Sequence, residues 1–122
     1  MEKAVERWWK LAELDFNNAE KNISIKAYYV SVFLCQQAIE KALKALWIKE
    51  RTNEEIPKYH NLLFFFRELK LPTKFKSTCE DLTGAYITTR YPTGLEAEFS
   101  KLDAEVLLRK GKEILEWIKE RL

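Results

Sequence analysis

The chain has 122 residues, 47% hydrophobic and 33% charged, a length and balance that fit a single globular domain over residues 1–122 and exclude a disordered chain. Twenty-one Lys and Arg against 19 Asp and Glu leave a net charge of +2, too little for a broad basic field, so any nucleic-acid contact must be local. The longest apolar run, Leu62 to Phe66, is far short of the roughly 20 residues of a membrane span, and MEKAVERWWK lacks the apolar core of a secretion signal, which points to a cytoplasmic protein without membrane contact.

Val5, Trp8, Leu11, Ala12, Phe16 and Ala19 keep the three-and-four spacing of one helical face and predict a first helix over about residues 3–21. From about Ile25 to Glu50 there is no Gly or Pro, and apolar residues cover more than one face, as in a central helix packed from several sides. RTNEEIP then reads as a loop, and HNLLFFFREL as a short helix capped by Asn61 or His60 and closed by Pro72. Thr73 is placed to cap a fourth helix with a stripe of Phe75, Cys79, Leu82, Tyr86 and Thr89, which runs until Pro92 forces Tyr91 out of helical geometry. After a loop, SKLD at 100–103 has the form of a capping box, and Ala104, Leu107, Leu108, Gly111, Ile114, Leu115 and Ile118 form the inner face of a last helix. The pattern predicts an all-α protein of about five helices, two of them long and antiparallel, with a third long helix at the C-terminus.

Cys35, Cys79 and the single histidine, His60, match no metal-ligand or redox spacing, so two reduced, buried thiols are expected and no metal. Tyr86 and Arg90 are four apart on one helical face, and Tyr91 leaves from its broken end beside them. A guanidinium fork suits phosphate and a phenol ring suits a stacked base, so together they could hold a nucleotide. The competing account has Arg90 complementing the helix dipole while Tyr91 packs over the core.

On the second helix Gln37, Lys41 and Lys44 recur at helical spacing, as do Gln36, Glu40 and Lys44. Long polar groups on a buried helix need partners or a wet cleft, so this row reads either as structural pairing, such as Glu40 with Lys44, or as phosphate contact by Lys41 or Lys44. His60, at the start of the short helix, is a capping residue or a donor to an anion. No carboxylate pair is matched to it with enough clarity to assign a catalytic residue. Trp8, Trp9 and Phe64 to Phe66 fan around their helices, which predicts that a second subunit covers some of them.

Four stretches taken in order, WWKLAELDFNNAE, CQQAIEKALKALW, HNLLFFFREL and TTRYPTG, with LEWIKERL closing the chain, resemble the HEPN domain, named for nucleotide binding in higher eukaryotes and prokaryotes. The likeness spans nearly the whole chain. It implies an up-and-down helical bundle, usually a homodimer and often encoded beside a minimal nucleotidyltransferase. Two activities go with the family: nucleotide binding, and metal-independent RNA cleavage in members with Arg followed after four to six residues by His. His60 would need an arginine at 53–55, where Asn53, Glu54 and Glu55 stand, and Arg90 would need a histidine at 95–97, where Leu95, Glu96 and Ala97 stand. The nuclease motif is absent, and Arg51 lies nine residues before His60, outside the pattern.

The resemblance and the residues together lead to the expectation of a homodimer that binds a nucleotide or another phosphate-bearing ligand. Arg90, Tyr91, Tyr86 and His60 are its candidate site, with Lys41, Lys44 and Gln37 beside them. The expected partners are a second copy, a nucleotidyltransferase, and a nucleotide or RNA. The alternatives are an interaction subunit or toxin–antitoxin component without a ligand of its own and, more remotely, a divergent ribonuclease.

Overall fold

Helix α1 (Lys3–Ser24) and helix α2 (Tyr28–Glu50) form a long antiparallel hairpin, followed by a short α3 (Leu62–Glu68), then α4 (Lys76–Arg90) and a long α5 (Lys101–Lys119). The structure is a computed structural model describing residues 2–90 and 99–122, and for residues 88–90 the backbone alone; within that range it is all-helical. The break of α4 at Tyr91 and Pro92 lies outside the described residues.

The buried stripe of α1 is Val5, Trp9, Ala12, Phe16 and Ala19, a strict alternation of four and three. This corrects the expected stripe at two positions. Trp8 is only partly buried at the flank, and Leu11 is 45% exposed. Stepping from Val5 by three or by four was open in the sequence, and the hairpin selects four because that register keeps Trp9 on α1's face toward the core.

The hairpin turns at Ile25 to Ala27, where Lys26 takes a φ of 63°, so α2 begins at Tyr28 and Ile25 stands in solvent. Just inside α2, Ser31 Oγ donates to the Ala19 carbonyl at 2.6 Å, which satisfies a fully buried hydroxyl and pins the two helices together. From there α2 is buried almost all round by α1, α4 and α5, with Val32, Cys35, Ile39, Leu43 and Leu46 at 0% exposure. Each such aliphatic side chain contributes about 1.5–3 kcal/mol by leaving water, which makes α2 the axis of the fold.

Helix α5 lies against α2 at a notch made by Gly111. A Cβ built there would meet Cys35 Sγ at 2.6 Å and Ile39 Cδ1 at 3.2 Å. Gly84, on α4, would meet nothing within 4 Å. The two glycines should therefore respond oppositely to alanine. Gly84→Ala is expected to stabilise by about 0.5–1 kcal/mol through helix propensity. Gly111→Ala should destabilise by up to about 2 kcal/mol, because overpacking of about 1–3 kcal/mol outweighs the same propensity gain. Urea denaturation of both variants checks this, and a stabilised Gly111→Ala would show that Cys35 moves aside at no cost.

Both cysteines are fully buried and unpaired as disulfides, and burial pushes each thiol up to about 12, so they act as small core residues.

The start of α3 is fixed by Asn61, whose side chain accepts from the Leu63 amide at 2.9 Å, and by Thr83 of α4, whose hydroxyl accepts from the Leu62 amide at 3.2 Å. Thr73 does not cap α4. It lies in a 3-10 turn, Thr73–Phe75, in which the Phe75 amide bonds the Pro72 carbonyl at 3.0 Å and Phe75 reaches the core. The tighter turn is what carries that ring inward before α4 begins. At the start of α5 the capping box forms as expected: Ser100 Oγ accepts from the Asp103 amide and Asp103 Oδ2 from the Ser100 amide, each at 3.0 Å.

The tryptophans and phenylalanines expected to need a second subunit find cover within one chain. Trp9 and Phe65 are buried, and Trp8, Phe64 and Phe66 pack against the core. Their number therefore does not by itself require a second subunit.

Candidate functional site

One carboxylate organises the polar residues of α2. Glu40 is 4% exposed, yet it sits on the central helix among Ile39, Ala42 and Leu43. A buried carboxylate is costly unless its oxygens are satisfied. Here three groups do so. His60 Nδ1 lies 2.9 Å from Oε1, Gln36 Nε2 donates to the same oxygen at 3.2 Å, and Lys44 Nζ donates to Oε2 at 3.1 Å. Spacing explains two of them, since Gln36 and Lys44 stand one turn before and one turn after Glu40 on the same face. His60 comes from the segment before α3, which Asn61 and Thr83 hold in place.

Further bonds lock the cluster. Gln36 Nε2 also donates to the His60 carbonyl at 3.2 Å, and Gln37 Nε2 donates to Gln36 Oε1 at 2.6 Å. Lys44 lies 5.5 Å from the centre of the Trp8 ring, so the cation is held between a carboxylate and an indole face. That is the role of Trp8 at the flank of α1.

The imidazole is the exposed end of this network. Its side chain is 50% exposed and stacks on Tyr86 of α4, with centroids 4.9 Å apart and planes 17° from parallel. Tyr86 in turn stacks on Phe33 of α2 at 6.3 Å. A carboxylate oxygen can only accept, so the Nδ1 hydrogen points to Glu40 and Nε2 is the nitrogen that Glu40 does not engage. The result is an oriented ring on an aromatic shelf, one helical turn before the Arg90 backbone that ends α4.

Of the residues singled out in the sequence, the structure brings His60 and Tyr86 into contact and joins Lys44 and Gln37 to them through Glu40 and Gln36. Lys41 goes elsewhere, into an ion pair with Asp15 of α1. The Arg90 side chain and Tyr91 lie outside the described residues. Arg51 does not join the cluster: it lies over the Trp47 ring at 4.3 Å and donates to the Glu68 carbonyl at 2.8 Å. Glu40, Gln36 and Trp8 were not among the candidate site residues. The signal for the first two was present, as polar residues at 36, 40 and 44 on one face of a helix expected to be packed from several sides. No group of His, Cys, Asp and Glu among the described residues could hold a metal ion, and no described helix is long and apolar enough to cross a membrane.

This arrangement of α1, α3, α4 and α5 around α2 is shared with known proteins. A family profile, the HEPN domain, matches residues 5–122. The chain belongs to the HEPN family. Among solved structures, this HEPN chain is similar to TT1696 from Thermus thermophilus, with a TM-score of 0.88 and 25% identity over 99% of this chain and 100% of that one. It is also similar to ST0689, an archaeal HEPN homologue, with a TM-score of 0.79 and 27% identity over 98% of each chain. No curated protein matches it.

Proposed function

We propose that this HEPN protein binds a nucleotide, or another ligand carrying phosphate, on the His60–Tyr86 shelf. The observation that supports this reading is the half-exposed imidazole stacked on Tyr86 and held through Nδ1 by the buried Glu40. A base can stack on the open face of such a ring, and a protonated imidazole offers Nε2–H to a phosphate oxygen. Arg90, one turn beyond Tyr86, adds the guanidinium that phosphate favours. Lys44 and Lys41 serve the site indirectly, since each is committed to a carboxylate of its own chain.

The working unit in this proposal is a homodimer. On α1, Trp8, Leu11 and Asp15 fall on one flank, where Trp8 meets Lys44 and Asp15 meets Lys41. Leu11, 45% exposed, thus stands beside the polar row of α2, and a second copy covering it would border the shelf. A minimal nucleotidyltransferase is the proposed outside partner, as is common in the family.

The test is a thermal-shift screen with mononucleotides, nucleoside triphosphates and inorganic phosphate, since a ligand that prefers the folded state raises the melting temperature. With the nucleotide that shifts it most, His60→Ala and Arg90→Lys are each expected to weaken binding by about tenfold or more, a loss of at least about 1.4 kcal/mol. If no nucleotide shifts the protein, or both variants bind as wild type does, the shelf is not a phosphate-ligand site.

A further inference from the structure

Glu40 faces two basic groups, and one carboxylate can balance only one cation. Its Oε2 takes Lys44 Nζ at 3.1 Å and its Oε1 takes the imidazole Nδ1 of His60 at 2.9 Å. Carboxylate and ammonium are both withdrawn from solvent, at 6% and 10% exposure, whereas half of the imidazole stands open. Lys44 has the stronger claim on the carboxylate, because an ammonium holds its proton far more tightly than an imidazolium does. The Trp8 ring, 5.5 Å from Nζ, favours the charged lysine as well. The buried pair is therefore complete without a charge on His60, and the ring bonds Glu40 through Nδ1–H in either state.

The other elements around the ring add groups that are balanced or distant. On α2 and α1, Lys41 pairs with Asp15. On α4 stand the Tyr86 phenol, stacked on the ring, and Glu80, exposed and one turn before Thr83. Arg90 follows one turn after Tyr86. On α3, Arg67 and Glu68 sit at the far end of the helix, and Glu68 holds Arg51. In the segment that carries His60, Lys58 is exposed. Glu40 is thus the carboxylate in direct contact with the imidazole, and Lys44 is the cation that competes for it.

We propose that the shelf charges only when its ligand arrives: each phosphate bound there brings one proton onto His60, and Lys44, acting through Glu40, is the residue that sets this. The inference rests on the phosphate-binding reading of the shelf. An arriving phosphate adds negative charge beside the open end of the ring, and Lys44 is committed to Glu40, so the group left to answer that charge at the shelf surface is the imidazole. The proton then sits on both nitrogens, with Nδ1–H kept by Glu40 and Nε2–H given to the phosphate. By linkage, binding that takes up one proton weakens by about tenfold for each unit of rising pH once the free ring is neutral. The site is in this way a sensor of pH within the range where histidine changes charge. Lys44 decides how strongly: without it, Glu40 has only the imidazole to balance it, and the ring is charged before any ligand comes.

His60 is the chain's single histidine, so its ring signals in a proton NMR spectrum are followed without ambiguity. In the free protein, Lys44→Met is expected to move the pH at which those signals change upward by about one unit or more, and Glu40→Gln, which keeps an acceptor oxygen but removes the charge, to move it downward. Arg90 is common to all three proteins and cancels in the comparison. The second arm is calorimetric titration with adenosine 5′-monophosphate at about pH 7.5, where a phosphate monoester has already lost its second proton. Repeating it in buffers of different ionisation enthalpy counts the protons taken up. Wild type is expected to take up more than about half a proton per ligand. Lys44→Met should take up fewer and bind more tightly at this pH, a gain that loss of a merely structural contact would not give. Ring signals that titrate alike in wild type and both variants, binding with no proton taken up, or weaker binding by Lys44→Met would overturn this inference and leave the phosphate shelf standing. Rings that titrate as expected in a protein that binds no nucleotide would instead refute the shelf, and the inference with it.

Discussion

Glu40→Ala is expected to cost the fold about 3–5 kcal/mol, the loss typical of removing one partner from a buried ion pair. The physical cause is Lys44, whose side chain is 10% exposed and which would be left beside Trp8 with no carboxylate to meet it. Gln36 would lose an acceptor in the same step. For a chain of this length the melting temperature should fall by about 10–20 °C. Removing both charges at once should behave differently. Glu40→Leu with Lys44→Met replaces the pair by apolar groups of similar volume, and such swaps are often neutral or stabilising. The double variant is thus expected to recover most of the loss while His60, without its partner, no longer holds a single ring orientation. A single variant that loses less than about 1 kcal/mol would mean that water reaches Lys44 and that the cluster does not depend on Glu40.

Phe65→Ala should be of similar size, about 3–5 kcal/mol, for a different reason. Phe65 is fully buried and meets Trp47 and Phe64 edge-on, at 6.0 and 5.3 Å. Truncation leaves a cavity under the short α3, which has seven residues and little helical stability of its own. Since His60 precedes that helix, the variant should also lose ligand binding at temperatures where α1, α2 and α5 remain folded. Phe66→Ala, at a partly buried position, is the control and should cost less than half as much. Chemical denaturation of the two side by side decides it, and equal losses would mean that α3 is not held by Phe65.

Long helices were easy to find in the sequence because their signals are local. The absence of Gly and Pro from Ile25 to Glu50, the seven-residue rhythm of α5 and the Ser100–Asp103 capping box can each be read within a few turns. What could not be read depended on partners far along the chain. Val5 to Ala19 admitted either Trp8 or Trp9 on the inner line, and only packing against α2 decides between them. Thr73 has the chemistry of a cap, but the need to bring Phe75 to the core draws it into a 3-10 turn. The site shows the same division. Gln36, Glu40 and Lys44 could be seen as a polar row, and His60 and Tyr86 as single candidates. Nothing in the spacing said that a residue twenty positions after Glu40 would return to it, because that contact is made by the loop, Asn61 and Thr83 acting together.

The notch at Gly111 carries a consequence for descent. Cys35 Sγ, Ile39 Cδ1 and the bare α carbon of residue 111 share one small volume, so these three positions are not free to drift separately. A relative that has gained a methyl group at the position of Gly111 must have given up a comparable volume across the contact, and the place to give it up is the position of Cys35, where alanine would remove the sulfur that stands in the way. Position 39 can respond only by shortening, as valine. Among HEPN chains that keep α2 and α5 this close, glycine at the first position should travel with a larger residue at the second, and the two should exchange size together.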